Sequence, residues 1–246
     1  MSQTDLMESG KPFAGQLALV TGASQGIGAA TAEALAAAGA HVILTARDAK
    51  ALEAIEERIH ASGGTATIAP MDLTEPDAIA RLAAALAGRW PALDILVINA
   101  AYLPELSPVT DIAANGLTKA LTTNVMATQT LLSRFHPLLR KSANARVIGM
   151  SSNVATAPRA FWGAYAASKA AFEVLLDCYA QEVRNLAKIR VAIVNPGATR
   201  TKMRAKAYPG EDPASVKLPQ VVADHVVNLL GEQFASPHRS QVNPTR

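Results

Sequence analysis

The sequence predicts an α/β fold, a single doubly wound parallel sheet with helices on both faces. Three observations predict it. Short apolar runs alternate with helix-forming stretches along the whole chain, the pattern of a parallel sheet covered on both sides. The first run enters a turn carrying Gly22, Gly26 and Gly28 and leaves it as helix. Turn-forming and polar residues recur directly after the apolar runs, at Gly22, Asp72, Asn99, Ser152 and Asn195. In an open parallel sheet those strand ends form one rim, where ligands bind.

Composition bounds the reading. The chain has 246 residues, 50% hydrophobic and 4% aromatic. That suits one domain with an aliphatic core. Residues 1–14 read as a flexible tail and 15–246 as the domain. The tail lacks a basic segment followed by an apolar one, and no uncharged run reaches membrane-spanning length. A net charge of +3, with no Lys/Arg block, argues against a nucleic-acid surface. The single cysteine, Cys178, excludes an intramolecular disulfide and points to a cytoplasmic setting. It reads as a small packing residue. No metal is expected.

Residues 17–20 are the first strand and 29–38 the first helix, with Gly39 as its stop. The glycine turn between them presents backbone N–H groups at a helix N-terminus, where the macrodipole favours anions. Glycine lets the chain approach a pyrophosphate without a Cβ in the way. The domain is therefore read as Rossmann-type and dinucleotide-binding. Residues 41–45 form strand two. Residues 49–62 form an amphipathic helix, with Leu52, Ile55 and Ile59 on one face. Strand three covers 65–70. Thr74 reads as the N-cap of the next helix, with Pro76 in its first turn, and that helix runs to Gly88. Strand four, 94–98, ends in Asn99-Ala100-Ala101, and a long helix from 115 to 139 contains Asn124. Strand five, 146–150, ends at Ser151-Ser152, and residues 164–185 form a helix. Strand six, 189–194, ends in Asn195-Pro196-Gly197. Residues 198–219 are irregular, 220–230 form a last helix, and the final fifteen residues show no strand pattern.

Tyr165 and Lys169 lie four apart near the start of a helix, hence on one face. A tyrosine acting as acid or base near neutrality needs its pKa of about 10 lowered, which a nearby ammonium does by favouring the phenolate. A serine hydroxyl close by can hold a substrate oxygen in line. Ser152, at the end of strand five, is placed to reach the start of that helix.

Together, Thr21-Gly22-Ala23-Ser24-Gln25-Gly26-Ile27-Gly28, Asp72-Leu73, Asn99-Ala100-Ala101, Asn124, Ser152, Tyr165-x-x-x-Lys169 and Pro196-Gly197-Ala198-Thr199-Arg200-Thr201 resemble the short-chain dehydrogenase/reductase superfamily, in its compact branch. The resemblance covers residues 17–230. It implies that Tyr165 is the proton donor and acceptor, and that Lys169 lowers its pKa and binds the nicotinamide ribose. Ser152, thirteen residues before Tyr165, is implied to position the substrate oxygen. Asn124 is implied to hold a water that joins Lys169 to solvent. Asp72 and Leu73 fall against the adenine, Asn99 and Ala100 beside the adenosine ribose. Pro196, Gly197, Thr199 and Thr201 fall around the carboxamide and pyrophosphate, and 198–219 is the substrate loop.

In Thr45-Ala46-Arg47-Asp48, a small residue followed by arginine suits a 2′-phosphate, because guanidinium binds phosphate bidentately. NADP(H) is the expected cofactor, with NAD(H) as the alternative should Asp48 pair with Arg47. Ala101 stands where relatives carry glycine. Residues 234–246 lack the Val-Asp-Gly-Gly strand that relatives often carry. A homodimer or homotetramer is expected. Phe161, Trp162 and Met203 are placed on an apolar pocket wall, and Arg200, Lys202, Arg204 and Lys206 suit an anionic substrate or cofactor phosphate. The function expected is carbonyl–alcohol interconversion on a small molecule, a 3-oxoacyl thioester being one candidate. A non-catalytic dinucleotide-binding regulator is the alternative, disfavoured by the intact Ser152, Tyr165, Lys169 and Asn124.

Overall fold

The computed structural model describes residues 10–185 and 188–242. Seven strands form one sheet in the order β3-β2-β1-β4-β5-β6-β7, every pair parallel. They are β1 Leu17–Thr21, β2 His41–Thr45, β3 Thr65–Ile68, β4 Ile95–Ile98, β5 Ala145–Met150, β6 Ile189–Asn195 and β7 His238–Gln241. The helices are α1 Gly26–Ala37, α2 Ala49–Ala61, α3 Ala78–Ala87, α4 Ala114–Leu121, α5 Ala127–Leu139, α6 Gly163–Val183, α7 Lys202–Ala207 and α8 Pro219–Gly231. The order of connection reverses between β1 and β4, where an open α/β sheet leaves a crevice above its strand ends.

Alternation along the strands splits the core into two layers. Ala18 and Val20 point to the face covered by α1, α2 and α8, through Leu35, Leu52 and Val226. Leu17 and Leu19 point to the face covered by α3, α5 and α6, through Leu86, Phe135 and Leu176. Gly149 in β5 sets how close α6 comes, since a Cβ there would collide with the Leu176 side chain and come within 2.9 Å of Phe172. That close approach brings the start of α6 to the end of β5.

Several expectations need correcting. Residues 1–9 of the expected tail lie outside the described residues, and 10–14 do not behave as one. Phe13 is buried beside Arg146, and its N–H donates to the Ala38 carbonyl. Thr74 does not cap α3. Its N–H and hydroxyl both donate to the Asp72 carboxylate, at 2.9 and 2.7 Å, which holds it in a turn ahead of the helix. The helix starts only after Asp77, which takes the left-handed conformation at φ 58°. The long central helix is interrupted by a π-turn, Thr122–Met126, centred on Asn124. The irregular segment contains α7. A seventh strand exists after all. His-Arg-Ser-Gln at the sheet edge alternates half-buried and exposed residues without an apolar one, so hydropathy gave no sign of it. Cys178 is exposed, not packed inside.

Candidate active site

A cleft of about 680 Å³ opens above the ends of β1, β2, β4, β5 and β6. Its floor is the glycine turn. Gly22 and Gly26 have φ of 67° and 57°, a region that glycine enters without strain. A Cβ on Gly28 would collide with the Gly22 carbonyl, so the turn can close only with glycine there. The N-terminus of α1 has no side-chain cap and no acidic residue in its first turn. Its N–H groups remain available to an anion at the cleft wall formed by Gln25, Gly26 and Ile27. Thr201 closes this end, with its Cγ2 3.2 Å from where a Gly26 Cβ would stand. Ser24 is half-buried beside the turn.

Asn99 lines the cleft and is also tied to the glycine turn. Its side-chain amide donates to the carbonyls of Thr21 and Gly22, at 2.9 and 3.3 Å. Its backbone N–H donates to the Thr21 hydroxyl oxygen at 3.0 Å. It therefore props the glycine turn from β4. Ala100 and Ala101 line the cleft beside it.

At the other end lie Thr45, Ala46, Arg47, Asp72 and Leu73. The Asp48 carboxylate accepts the Ala51 N–H at 3.1 Å as the N-cap of α2. Arg47 is exposed on the cleft lip and makes no ion pair among the described residues. Partial burial pushes the Asp72 carboxyl up, but hydrogen bonds from Thr74 and the charges of Arg47 and Lys119 outweigh it and hold it below its usual range. The buried Thr45 hydroxyl faces this cleft region without a partner. The uncapped helix end, the glycine cradle and the lone guanidinium fit a phosphorylated dinucleotide.

Tyr165 and Lys169 lie at the β5 end of the cleft. Both are buried. The Lys169 ammonium donates to the Met150 carbonyl at 2.7 Å and lies 4.4 Å from the Phe172 ring centre. Burial pulls its pKa down to about 8, against the raising effect of Glu173. The Tyr165 phenol is pushed above its usual value by burial, among Leu103, Val154 and Ala166. Burial there disfavours the phenolate.

The two serines divide. Ser151 lines the cleft, with its hydroxyl given to the Glu173 carboxylate. Ser152 is half-buried and reaches only Asn153 Oδ1, at 3.5 Å, so its hydroxyl is the one free to turn. Asn124 is buried behind the cleft. Its side chain donates to the Tyr102 carbonyl and Ser168 Oγ, at 3.0 and 2.9 Å, and accepts the Tyr102 N–H at 2.7 Å. It clamps the π-turn, α6 and the loop after β4 together.

The loop after β6 closes the site. Thr199 is buried on its own turn and bridges to Lys217. Pro196 lines the cleft, and Gly197 turns the chain at φ 62°. Met203 Sδ lies 3.9 Å from Tyr165 Oη, and Trp162 meets Tyr165 edge-on at 6.1 Å. Phe161 instead points largely to solvent. Of the four basic residues expected to suit an anion, Arg200 and Lys202 line the cleft. Arg204 is engaged by Glu211 at 2.5 Å and by the Tyr208 ring, and Lys206 leans on the Leu103 carbonyl at 3.5 Å. Glu173 and Met203's position over the phenol escaped the sequence reading. The four-residue spacing from Lys169 to Glu173 was the available signal for the first.

A parallel seven-stranded sheet with a glycine-turn cradle and a tyrosine–lysine pair at one rim defines a dinucleotide-dependent oxidoreductase. The family model for short chain dehydrogenases matches residues 16–212, and the chain belongs to that family. It is 36% identical to the oxidoreductase YciK of Escherichia coli (strain K12), over 88% of this chain and 86% of that protein. It is 32% identical to a fatty acyl-CoA reductase of Acinetobacter baylyi, over 90% of this chain and 80% of that one. A Shigella flexneri short chain dehydrogenase complexed with NADP superposes with a TM-score of 0.91 at 33% identity, covering 95% of this chain and 99% of that one. An Escherichia coli CFT073 relative complexed with NADPH gives the same TM-score, identity and coverage. No helix among the described residues is long and apolar enough to cross a membrane.

Proposed function

We propose that this chain is an NADP(H)-dependent reductase or dehydrogenase that interconverts a carbonyl and an alcohol on an apolar small molecule. The observation that carries the reading is the pairing of Tyr165 with Lys169 on one face of α6, at the rim of a cleft whose other end presents an unpaired Arg47. The solved relatives complexed with NADP and NADPH support the cofactor.

When bound, the nicotinamide supplies or accepts the hydride. The protein's part follows from its own groups. The neutral Tyr165 hydroxyl is the donor to a carbonyl oxygen in the reducing direction and takes the proton back in the other. Ser152 orients that oxygen. Lys169 stabilises the phenolate that forms and holds the ribose. Asn124 fixes the helix that carries the pair. Gly22, Gly26 and the α1 N-terminus take the pyrophosphate, Arg47 the 2′-phosphate, and Asp72 and Leu73 the adenine.

Leu103, Leu106, Trp162 and Met203 around Tyr165 suit an alkyl or acyl substituent better than a sugar. A 3-oxoacyl thioester or a fatty aldehyde fits that lining, and the similarity to a fatty acyl-CoA reductase agrees with it. Exposed Met126, Val174 and Cys178, on the π-turn and α6, suit a homodimer or homotetramer contact. The test is NADPH consumption across 3-oxoacyl thioesters, long-chain aldehydes, ketones and sugars. Turnover concentrated on long-chain carbonyls is expected. Tight NADPH binding with no turnover on any class would refute the reading.

A further inference from the structure

The side chains of α6 form a ladder at four-residue spacing, Tyr165, Lys169, Glu173 and Asp177. The first two are accounted for. Glu173 is buried in the same row, one turn beyond Lys169. One oxygen accepts the Ser151 hydroxyl and the other accepts from Arg239. Arg239 comes from β7 and also pairs with Asp177 at 2.5 Å. A buried carboxylate is costly unless it is paired and hydrogen-bonded. Here both conditions are met, from two other elements, at a position beside the reactive lysine.

Resting on the reductase reading above, we propose that Glu173, anchored by Arg239 and Ser151 one helical turn from Lys169, is a positioning residue that keeps the Lys169 side chain an ammonium. The edge strand β7 thereby reaches the active site through one guanidinium. Among the described residues, the charged and titratable groups around Lys169 are Tyr165 and Glu173 on its own helix, with the neutral Met150 carbonyl from β5. Those around Glu173 are Lys169 and Asp177 on α6, Ser151 from β5 and Arg239 from β7. Removing the carboxylate makes the lysine lose its proton earlier. Removing the guanidinium leaves two carboxylates uncompensated and makes it lose its proton later.

The experiment reads the titration of Lys169 in the full chain without substrate. Urea-unfolding stability is measured from pH 7 to 9.5 for the parent, Glu173→Gln and Arg239→Gln. Each is compared with the same protein carrying Lys169→Met, so that the difference isolates the lysine. In the parent, stability rises once native Lys169 deprotonates, near pH 8. Glu173→Gln is expected to move that onset down by about one pH unit, and Arg239→Gln to move it up. A purely structural role would move neither, or both the same way, and either result overturns the proposal. Should Glu173→Gln fail to fold, Glu173→Met takes its place with the same expected downward shift, and an unmoved onset in it overturns the proposal. The readout needs no turnover, so an inactive protein would refute the reductase reading and leave this test standing.

Discussion

The ammonium of Lys169 donates to the carbonyl of Met150 at 2.7 Å, in a position only 2% exposed. A charge held in so dry a place weighs on the fold, and its weight depends on pH.

Lys169 is pulled from 10.5 down to about 8 in the folded chain. Below pH 8 both states carry the proton and the burial cost is present in full. From pH 8 to 10.5 the folded state sheds it first, so stability rises with pH. The gap corresponds to at most roughly 3 kcal/mol. Lys169→Met removes that cost but leaves the Met150 carbonyl without its donor, a loss of about 1–2 kcal/mol. Lys169→Met is therefore expected to be about 1–2 kcal/mol more stable than the parent at pH 7 and no more stable by pH 10. It is also expected to lose turnover. Urea unfolding at the two pH values checks this, and a variant weaker than the parent at pH 7 would contradict it.

Tyr165→Phe separates chemistry from folding. Among the described residues the phenol's one partner is Met203 Sδ, at 3.9 Å, a weak acceptor. Losing the hydroxyl strands no buried polar group, and stability should stay within about 0.5 kcal/mol of the parent. NADPH affinity should hold while turnover falls by about 10²- to 10⁴-fold, the usual contribution of a positioned acid. Fluorescence titration and steady-state rates measure the two. Retained turnover would remove Tyr165 from the mechanism.

Asn124 is expected to matter chiefly through the fold. It is 1% exposed and its side chain makes three hydrogen bonds, joining the π-turn to the Tyr102 backbone and to Ser168 on α6. Asn124→Ala strands the Tyr102 N–H and carbonyl, each at about 1–3 kcal/mol. A drop of roughly 3 kcal/mol or more follows, with cofactor affinity weakened because α6 is no longer clamped. Denaturant midpoints and NADPH titration report both. Unchanged stability with lost activity would favour the water-holding role instead.

Six of the strands and the rim were legible in the sequence because fully buried strands such as Leu17–Thr21 and Ile95–Ile98 write themselves as apolar runs. What was illegible depends on partners far away in the chain. Asn99 turned out to hold Thr21, 78 residues away, and no local pattern announces that. The strand His238–Gln241 exists through pairing with Ala192–Asn195, although its own residues alternate without an apolar face. Thr74 has every local mark of a cap, yet Asp72 holds it in a turn and the helix starts only after Asp77.

On the proposed reading, Arg47 carries the preference for NADP(H). The reservation raised by the sequence was that Asp48 might neutralise it. The Asp48 carboxylate instead accepts the Ala51 N–H at 3.1 Å, and Ala46 beside Arg47 adds no carboxylate to the cleft wall. A guanidinium there favours a dianionic 2′-phosphate and gives nothing comparable to a 2′-hydroxyl. Arg47→Ala should raise the NADPH Kd by about 10- to 100-fold, the worth of a charge-assisted hydrogen bond, and leave the NADH Kd within about twofold. The NADPH affinity of the parent should fall with added salt, and that dependence should flatten in the variant. Ala46→Asp tests the same point from the other side. A carboxylate there repels the 2′-phosphate and accepts from a 2′-hydroxyl, so the preference should swing toward NADH. Equal losses for both cofactors in Arg47→Ala would place the guanidinium on the shared pyrophosphate and remove the basis for NADP(H) specificity.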